Sequence, residues 1–411
     1  MTSFGRLSCS SPPGRRTDSR HHISSMRDVL SQLCSWSLAI ALSGLCAAPA
    51  AAGPIPNPLN GYYTAMGDSF SSGEGAGAYF SDTNIAGTNQ CHRSVYSWPS
   101  LVAANFGATG SYFRSTACSG AIVADVRYAL AVSGEGQWNE GPQIYGSLSD
   151  EVKLVTISIG GNDIGFGEIL RRCARNATVR HCQHAVQLYT TNGNHGLLQA
   201  LIDGGWETIY VHRDMVRGPY WCGTRANPVS CRPLKRVHGD HVLVEWDALS
   251  LTELYNEIAE GAPNAQIRVL QYPPVFPPNY TDSVLYGNKP CRVFNRNDGS
   301  QVGFWTEFRA GSIQAMANGG ALLNATIRNA VADTNNPRIV AVDTSAGFAN
   351  TNGKARWLCN EVFFEPGTGE VLYTYNRDSF FNGLSGFPPS VESFHPNQDG
   401  QVAIAAAVNG S

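Results

Sequence analysis

Short apolar runs recur along the chain at Tyr62–Met66, Tyr112–Ser115, Leu154–Ile159, Thr208–His212, Ile267–Leu270 and Ile339–Val342, bounded by glycine or turn residues. Near-continuous apolar stretches of this length suit strands buried on both faces. Helical patterns lie between them. Ser250–Ala262 carries Leu251, Leu254, Ile258 and Ala259 at three- and four-residue spacing, and Ala315–Ala332 carries Leu322, Leu323, Ile327 and Val331 likewise. Strands alternating with helices predict an α/β fold built on a doubly wound parallel sheet. No repeat, low-complexity linker or clear second domain interrupts residues 53–411. Two stretches break the alternation, 214–247 and 280–307, and both are expected to be loop insertions, where loops on a rigid scaffold shape specificity.

In open α/β sheets ligands bind beyond the carboxyl ends of the strands. Gly67-Asp68-Ser69 follows the first run, Cys118-Ser119-Gly120 the second and Gly160-Gly161-Asn162-Asp163 the third. All three therefore converge on one rim. Ser69, followed by the glycine-rich Gly73-Glu74-Gly75-Ala76-Gly77, is a candidate nucleophile. A serine hydroxyl needs a base to take its proton, and histidine is the usual one. Among ten histidines, His395 stands in Glu392-Ser393-Phe394-His395-Pro396-Asn397. Glu392, three residues earlier, can reach the imidazole within one turn and fix its tautomer, or a backbone carbonyl can do so instead. Asp68 and Asp163 read as carboxylates that brace their loops. The Gly-x-Ser-x-Gly elbow, the dinucleotide glycine spacing and the Walker motif are all absent.

Taken in order, these motifs resemble the SGNH hydrolases, the GDSL lipase/esterase family, over roughly residues 60–405. The likeness is to the secreted, disulfide-containing lipase and phospholipase branch. It implies a flavodoxin-like sheet in a single domain, no cofactor, and a serine esterase acting through an acyl-enzyme. Ser69 is then the nucleophile and His395 the base, with the Ser69 and Gly120 N–H groups and the Asn162 amide holding the oxyanion. The family usually has aspartate where this chain has Glu392. Lipid esters are the implied substrates, with a polysaccharide O-acetyl esterase as the enzymatic alternative. A catalytically silent carbohydrate-binding scaffold is the alternative of another class. A monomer is expected.

Near the start, Met26-Arg27 leads into an apolar stretch from Trp36 to Ala48 and then Pro49-Ala50-Ala51-Ala52-Gly53. A basic start, a short apolar segment and small residues before a cut site describe a secretory signal peptide, cleaved after Ala52 or Ala50. Serines and a glycine interrupt the stretch, and it is too short for a stable membrane span. Residues 1–25 are rich in serine and arginine, and Met26 is the better start of a signal. Removing residues 1–52 takes away five arginines and two aspartates and leaves 24 basic against 30 acidic residues, a net of −6. That balance argues against nucleic acid and against electrostatic docking on anionic membranes.

Eight of the eleven cysteines lie beyond residue 52: Cys91, Cys118, Cys173, Cys182, Cys222, Cys231, Cys291 and Cys359. An even count behind a signal peptide reads as a disulfide set whose connectivity spacing alone does not give. The resemblance implies Cys91–Cys118, Cys173–Cys182 and Cys291–Cys359, with Cys222–Cys231 as a further pair. An oxidising compartment favours the Cys173–Cys182 bridge over a metal cluster of Cys173, His181, Cys182 and His184. The sequons at Asn176, Asn279, Asn324 and Asn409 are candidate glycosylation sites on a secreted surface.

Overall fold

The computed structural model describes residues 54–127, 140–174, 178–190, 197–212, 221–223, 228–238, 241–282, 288–294, 305–349, 354–384 and 392–411; side chains within 205–248 lie outside the description. Five strands form its central sheet: β1 (Tyr62–Gly67), β2 (Phe113–Ser115), β3 (Val152–Ser158), β4 (Gln266–Leu270) and β5 (Ile339–Val342). Their order is β5-β4-β3-β1-β2, and every neighbouring pair is parallel. This is the flavodoxin-like order, with the crossover between β1 and β3.

The helices are α1 (Ser69–Ser72), α2 (Trp98–Asn105), α3 (Val123–Arg127), α4 (Phe166–Ala174), α5 (Val179–Thr190), α6 (Leu197–Asp203), α7 (Leu251–Gly261), α8 (Ala310–Asp333), α9 (Ala346–Ala349) and α10 (Gln398–Asn409). They cover the sheet on both faces, as the uninterrupted apolar strands require. Tyr63, Ala65 and Leu154 pack with Trp98 and Val102 of α2 and Ile404 and Val408 of α10. Val155, Ile157, Ile267 and Val269 pack on the other side with Leu251, Leu254 and Ile258 of α7 and Leu323 and Ile327 of α8. A capping box at Ser250 and Glu253 starts α7 where its apolar periodicity begins.

Two expectations are corrected. Thr208–His212 belongs to a strand, Gly205–His212, but this strand pairs antiparallel with His241–Ala248 and stands outside the parallel sheet. His241–Ala248 pairs in turn with Pro228–His238, and that strand with Trp221–Gly223, so these three strands fill most of the stretch expected to be a loop over 214–247. A local apolar run marks a strand and does not name its partner; here a neighbouring hairpin supplies one. The second stretch, 280–307, likewise contributes strands. Cys291–Phe294 and Trp305–Phe308 pair antiparallel and join Val371–Tyr375 and Glu361–Phe364 in a third sheet.

Bridges join Cys91 to Cys118, Cys173 to Cys182 and Cys291 to Cys359. The pairing expected for Cys222 and Cys231 falls on side chains outside the description. Bridged to each other, Cys173 and Cys182 offer no thiolate to a metal.

Candidate active site

β1 ends in a glycine for a steric reason. Gly67 has φ +122°, and a Cβ there would lie 2.1 Å from the carbonyl oxygen of Ser158. The chain bends at this point, and the Asp68 carboxylate caps α1 by accepting from the Phe70 N–H at 3.0 Å. Ser69 is thus the first residue of a short helix at the rim of the sheet. Its hydroxyl lies 2.8 Å from Nε2 of His395, 326 residues away in sequence. When the ring is neutral with its proton on Nδ1, the Ser69 hydroxyl donates to Nε2.

The glycines after Ser69 seat the histidine loop. Gly75 has φ +85°, and a Cβ there would lie 2.4 Å from the Asn382 amide nitrogen and 3.0 Å from Cβ of His395. Across that close approach the Asn382 amide donates to the Gly75 carbonyl at 2.8 Å, and the Asn382 N–H donates to the His395 carbonyl at 2.8 Å. Gln398, at the start of α10, donates to the Ala76 carbonyl at 3.1 Å. Phe70 sets its ring 5.3 Å from that of His395.

The oxyanion candidates come from the next two rims. Gly120, φ +84°, follows Cys118, whose N–H donates to the Gly67 carbonyl at 3.0 Å and whose sulfur is bridged to Cys91. Asn162 donates through its side-chain amide to the Ala121 carbonyl at 2.9 Å, which ties the third rim to the second. The same amide carries a second N–H. Asp163 accepts from the Val123 N–H through both oxygens, at 3.0 and 3.2 Å, and anchors the start of α3. It braces its loop, as does Asp68.

Tyr272 joins these parts and was not singled out by motif. Its hydroxyl accepts from the Gly161 N–H at 2.9 Å and donates to the Asp68 carboxylate in a short bond. It therefore links the neighbours of Ser69 and Asn162. Burial pushes the Asp68 carboxyl up to about 6, against the pull of its bonds from Tyr272, Phe70 and Ser158. Asn324 of α8 fixes the Tyr272 backbone, accepting from its N–H and donating to its carbonyl, both at 2.8 Å. The sequence signal was available: Tyr272 stands two residues past β4, so the rim rule extended to the fourth strand reaches it.

Glu392 is half-buried. Its carboxylate accepts from the Tyr79 hydroxyl at 2.9 Å, and its carbonyl accepts from the backbone N–H of His395 at 3.3 Å. Asn324 lines the cleft, where its side-chain amide donates to the Tyr272 carbonyl. Asn279 and Asn409 are exposed, and Asn176 lies outside the described residues.

Ser69, Gly120, Asn162 and His395 all line one cavity of about 840 Å³. Ile164, Phe166, Leu170, Val275, Phe276 and Met316 are among its apolar walls. Over residues 65–403, from the middle of β1 to the middle of α10, the sequence matches the model of the GDSL-like lipase/acylhydrolase family. The chain belongs to that family. It is 41% identical over 133 residues to Lipase 1 of Streptomyces coelicolor, a match covering 32% of this chain and 40% of that relative. It is 38% identical over 135 residues to a lipase of Streptomyces rimosus, covering 33% of this chain and 41% of the relative. The chain thus spans about two fifths of the length of these relatives. It is also similar to the crystal structure of phospholipase A1 from Streptomyces albidoflavus NA297, with a TM-score of 0.48 and 22% identity over 85% of this chain and 99% of that one. That likeness is too loose to bear on substrate.

Proposed function

We propose that this GDSL-like protein hydrolyses carboxylic esters through an acyl-enzyme on Ser69. The observation that carries the reading is the 2.8 Å contact between the Ser69 hydroxyl and Nε2 of His395. At that distance the imidazole can take the hydroxyl proton as Ser69 attacks and return it to the leaving alcohol. Glu392 orients His395. The Ser69 and Gly120 N–H groups and the second N–H of Asn162 receive the oxyanion. Among the described residues neither of those backbone N–H groups donates to another protein group, which suits donors held ready for a substrate oxygen.

Lipid esters are the substrates we favour. The cavity beside Ser69 is large for a short acid and walled mainly by apolar side chains, so it rewards burial of an acyl chain at roughly 0.8 kcal/mol per methylene. The lipase names of the Streptomyces relatives agree with this choice. Secretion is part of the proposal, and the three bridged cysteine pairs support it because such bridges persist in oxidising compartments. No described helix is long and apolar enough to cross a membrane.

Labelling by a fluorophosphonate probe tests the nucleophile. The label is expected on Ser69, and an unlabelled protein would return the fold to a binding role. A hydrolysis panel of p-nitrophenyl acetate, triglyceride, phospholipid and acetylated xylan tests the substrate class. Preference for acetylated xylan would overturn the lipid reading and leave the ester chemistry standing.

A further inference from the structure

Glu74, Tyr79 and His92, which follow Ser69 in the chain, form a group of side chains to which neither the motifs nor the proposed chemistry assigns a task. Glu74 is fully buried, and its carboxylate lies 2.6 Å from Nδ1 of His92. A carboxylate only accepts, so His92 is the donor. The His92 ring stacks on Tyr79, with centroids 4.7 Å apart and planes 24° from parallel. The Tyr79 oxygen accepts from the Gly75 N–H at 2.9 Å and faces two carboxylates, Glu392 at 2.9 Å and Glu74 at 3.3 Å.

A phenol has one proton, so Tyr79 can serve only one of these carboxylates at a time. Glu74 already receives His92 at the shorter distance, and Glu392 lies nearer the phenol. The proton is therefore committed to Glu392. Burial and the two carboxylates push the phenol far above its ordinary range, so it remains a donor at any working pH. The His92 ring fixes the plane of the Tyr79 ring, and the Gly75 N–H fixes the oxygen. Gly75 is also the residue whose missing Cβ lets the His395 loop approach. One short segment thus holds both the loop that bears His395 and the carboxylate expected to orient it.

We propose that Tyr79 is a positioning residue for the esterase reaction, acting on His395 through the Glu392 carboxylate, with His92 and Glu74 directing its proton there. The inference rests on the reading that Glu392 orients His395. It adds a prior step: Glu392 is itself oriented, by a phenol supplied from the segment that follows the nucleophile.

The test is a double-mutant cycle with p-nitrophenyl butyrate, comparing wild type, Tyr79→Phe, Glu392→Gln and the combined variant. Active-site titration with a fluorophosphonate counts competent molecules, so kcat is expressed per titrated site and a folding defect alone does not change it. Tyr79→Phe keeps the ring on His92 and removes the proton. It is expected to lower kcat about tenfold with KM within about twofold, the loss of one hydrogen bond to a charged group. The combined variant is expected to be no slower than Glu392→Gln alone. Multiplying losses would overturn the route through Glu392. A Tyr79→Phe protein at wild-type kcat beside an impaired Glu392→Gln would overturn the role of Tyr79 and leave that of Glu392 intact. A Glu392→Gln protein at wild-type kcat would remove both.

Discussion

The Tyr272 phenol donates to the Asp68 carboxylate while accepting from Gly161, so one hydroxyl joins the loop that leads into Ser69 to the loop that carries Asn162. Phenylalanine keeps the ring edge-on to Phe70, where the centroids are 5.1 Å apart, and deletes both bonds. Tyr272→Phe is expected to lower kcat by roughly tenfold with little change in KM, because the proposed oxyanion donors lose a shared anchor. Steady-state kinetics on a soluble ester checks this; an unchanged kcat would make the link purely structural.

The Asp68 carboxyl is raised from 3.8 to about 6 by burial. A carboxyl that binds its proton more tightly in the folded state stabilises the fold fully below its unfolded value. That contribution disappears as pH rises through the folded value. Between pH 4 and 7 the wild type is therefore expected to lose roughly 2 kcal/mol relative to Asp68→Asn, which cannot ionise there. Thermal melts of both proteins across that range give the comparison. A constant difference would show that Asp68 stays ionised.

Ser69→Ala is expected to abolish turnover, by roughly 10⁴- to 10⁶-fold, and to leave the melting temperature near that of wild type. Ser69 is buried at a rim and its hydroxyl points to His395, so its loss leaves the apolar core intact. Retention of a tenth of the activity would take the nucleophile's role from it.

Glu392→Gln is expected to lower kcat markedly, since an amide can donate and so favours the wrong tautomer of His395. The acid limb of kcat/KM is expected to move down in pH, because a carboxylate favouring the charged base is gone. Glu392→Asp keeps the charge, shortens the reach and retains substantial activity. If the backbone carbonyl holds the ring, both variants stay within a few fold of wild type and the limb does not move.

Gly320 lines the cavity from the middle of α8, and a Cβ built there would meet nothing within 4 Å. Glycine costs about 1 kcal/mol against alanine within a helix, and no positive φ asks for it here. Its place is thus one where a side chain would occupy open space. Gly320→Leu is expected to lower kcat/KM for a long-chain p-nitrophenyl ester several fold more than for the acetate. Equal effects on both would show that the acyl chain does not pass this helix.

The five parallel strands were legible because strands buried on both faces must be apolar throughout, and the rim rule then gathered Ser69, Gly120 and Asn162 without any family knowledge. His395 was different. Nothing local ties it to Ser69 across 326 residues, and only the ordered set of motifs did so. Tyr272 is reached only when the rim rule is extended to the fourth strand, whereas Tyr79 and the cleft role of Asn324 escaped because single tyrosines and asparagines carry no pattern, and their work lies in contacts between distant segments. Asn324, read locally as part of an Asn-Ala-Thr sequon, also ties the Tyr272 backbone to α8 at the cleft. The strand at Gly205–His212 was visible as a strand, while its partner was not, since pairing direction is set by the hairpin that follows.

The docking of α10 sets a schedule. His395 is carried in just ahead of this helix, which is held against α2 by the Gln401 side chain accepting from the Trp98 N–H at 2.9 Å. A growing chain made at roughly 5–20 residues per second exposes Ser69 tens of seconds before His395 has been synthesised. During that interval the serine is an ordinary alcohol. On the proposed reading, ester hydrolysis is expected only once the segment bearing His395 has docked beside Ser69.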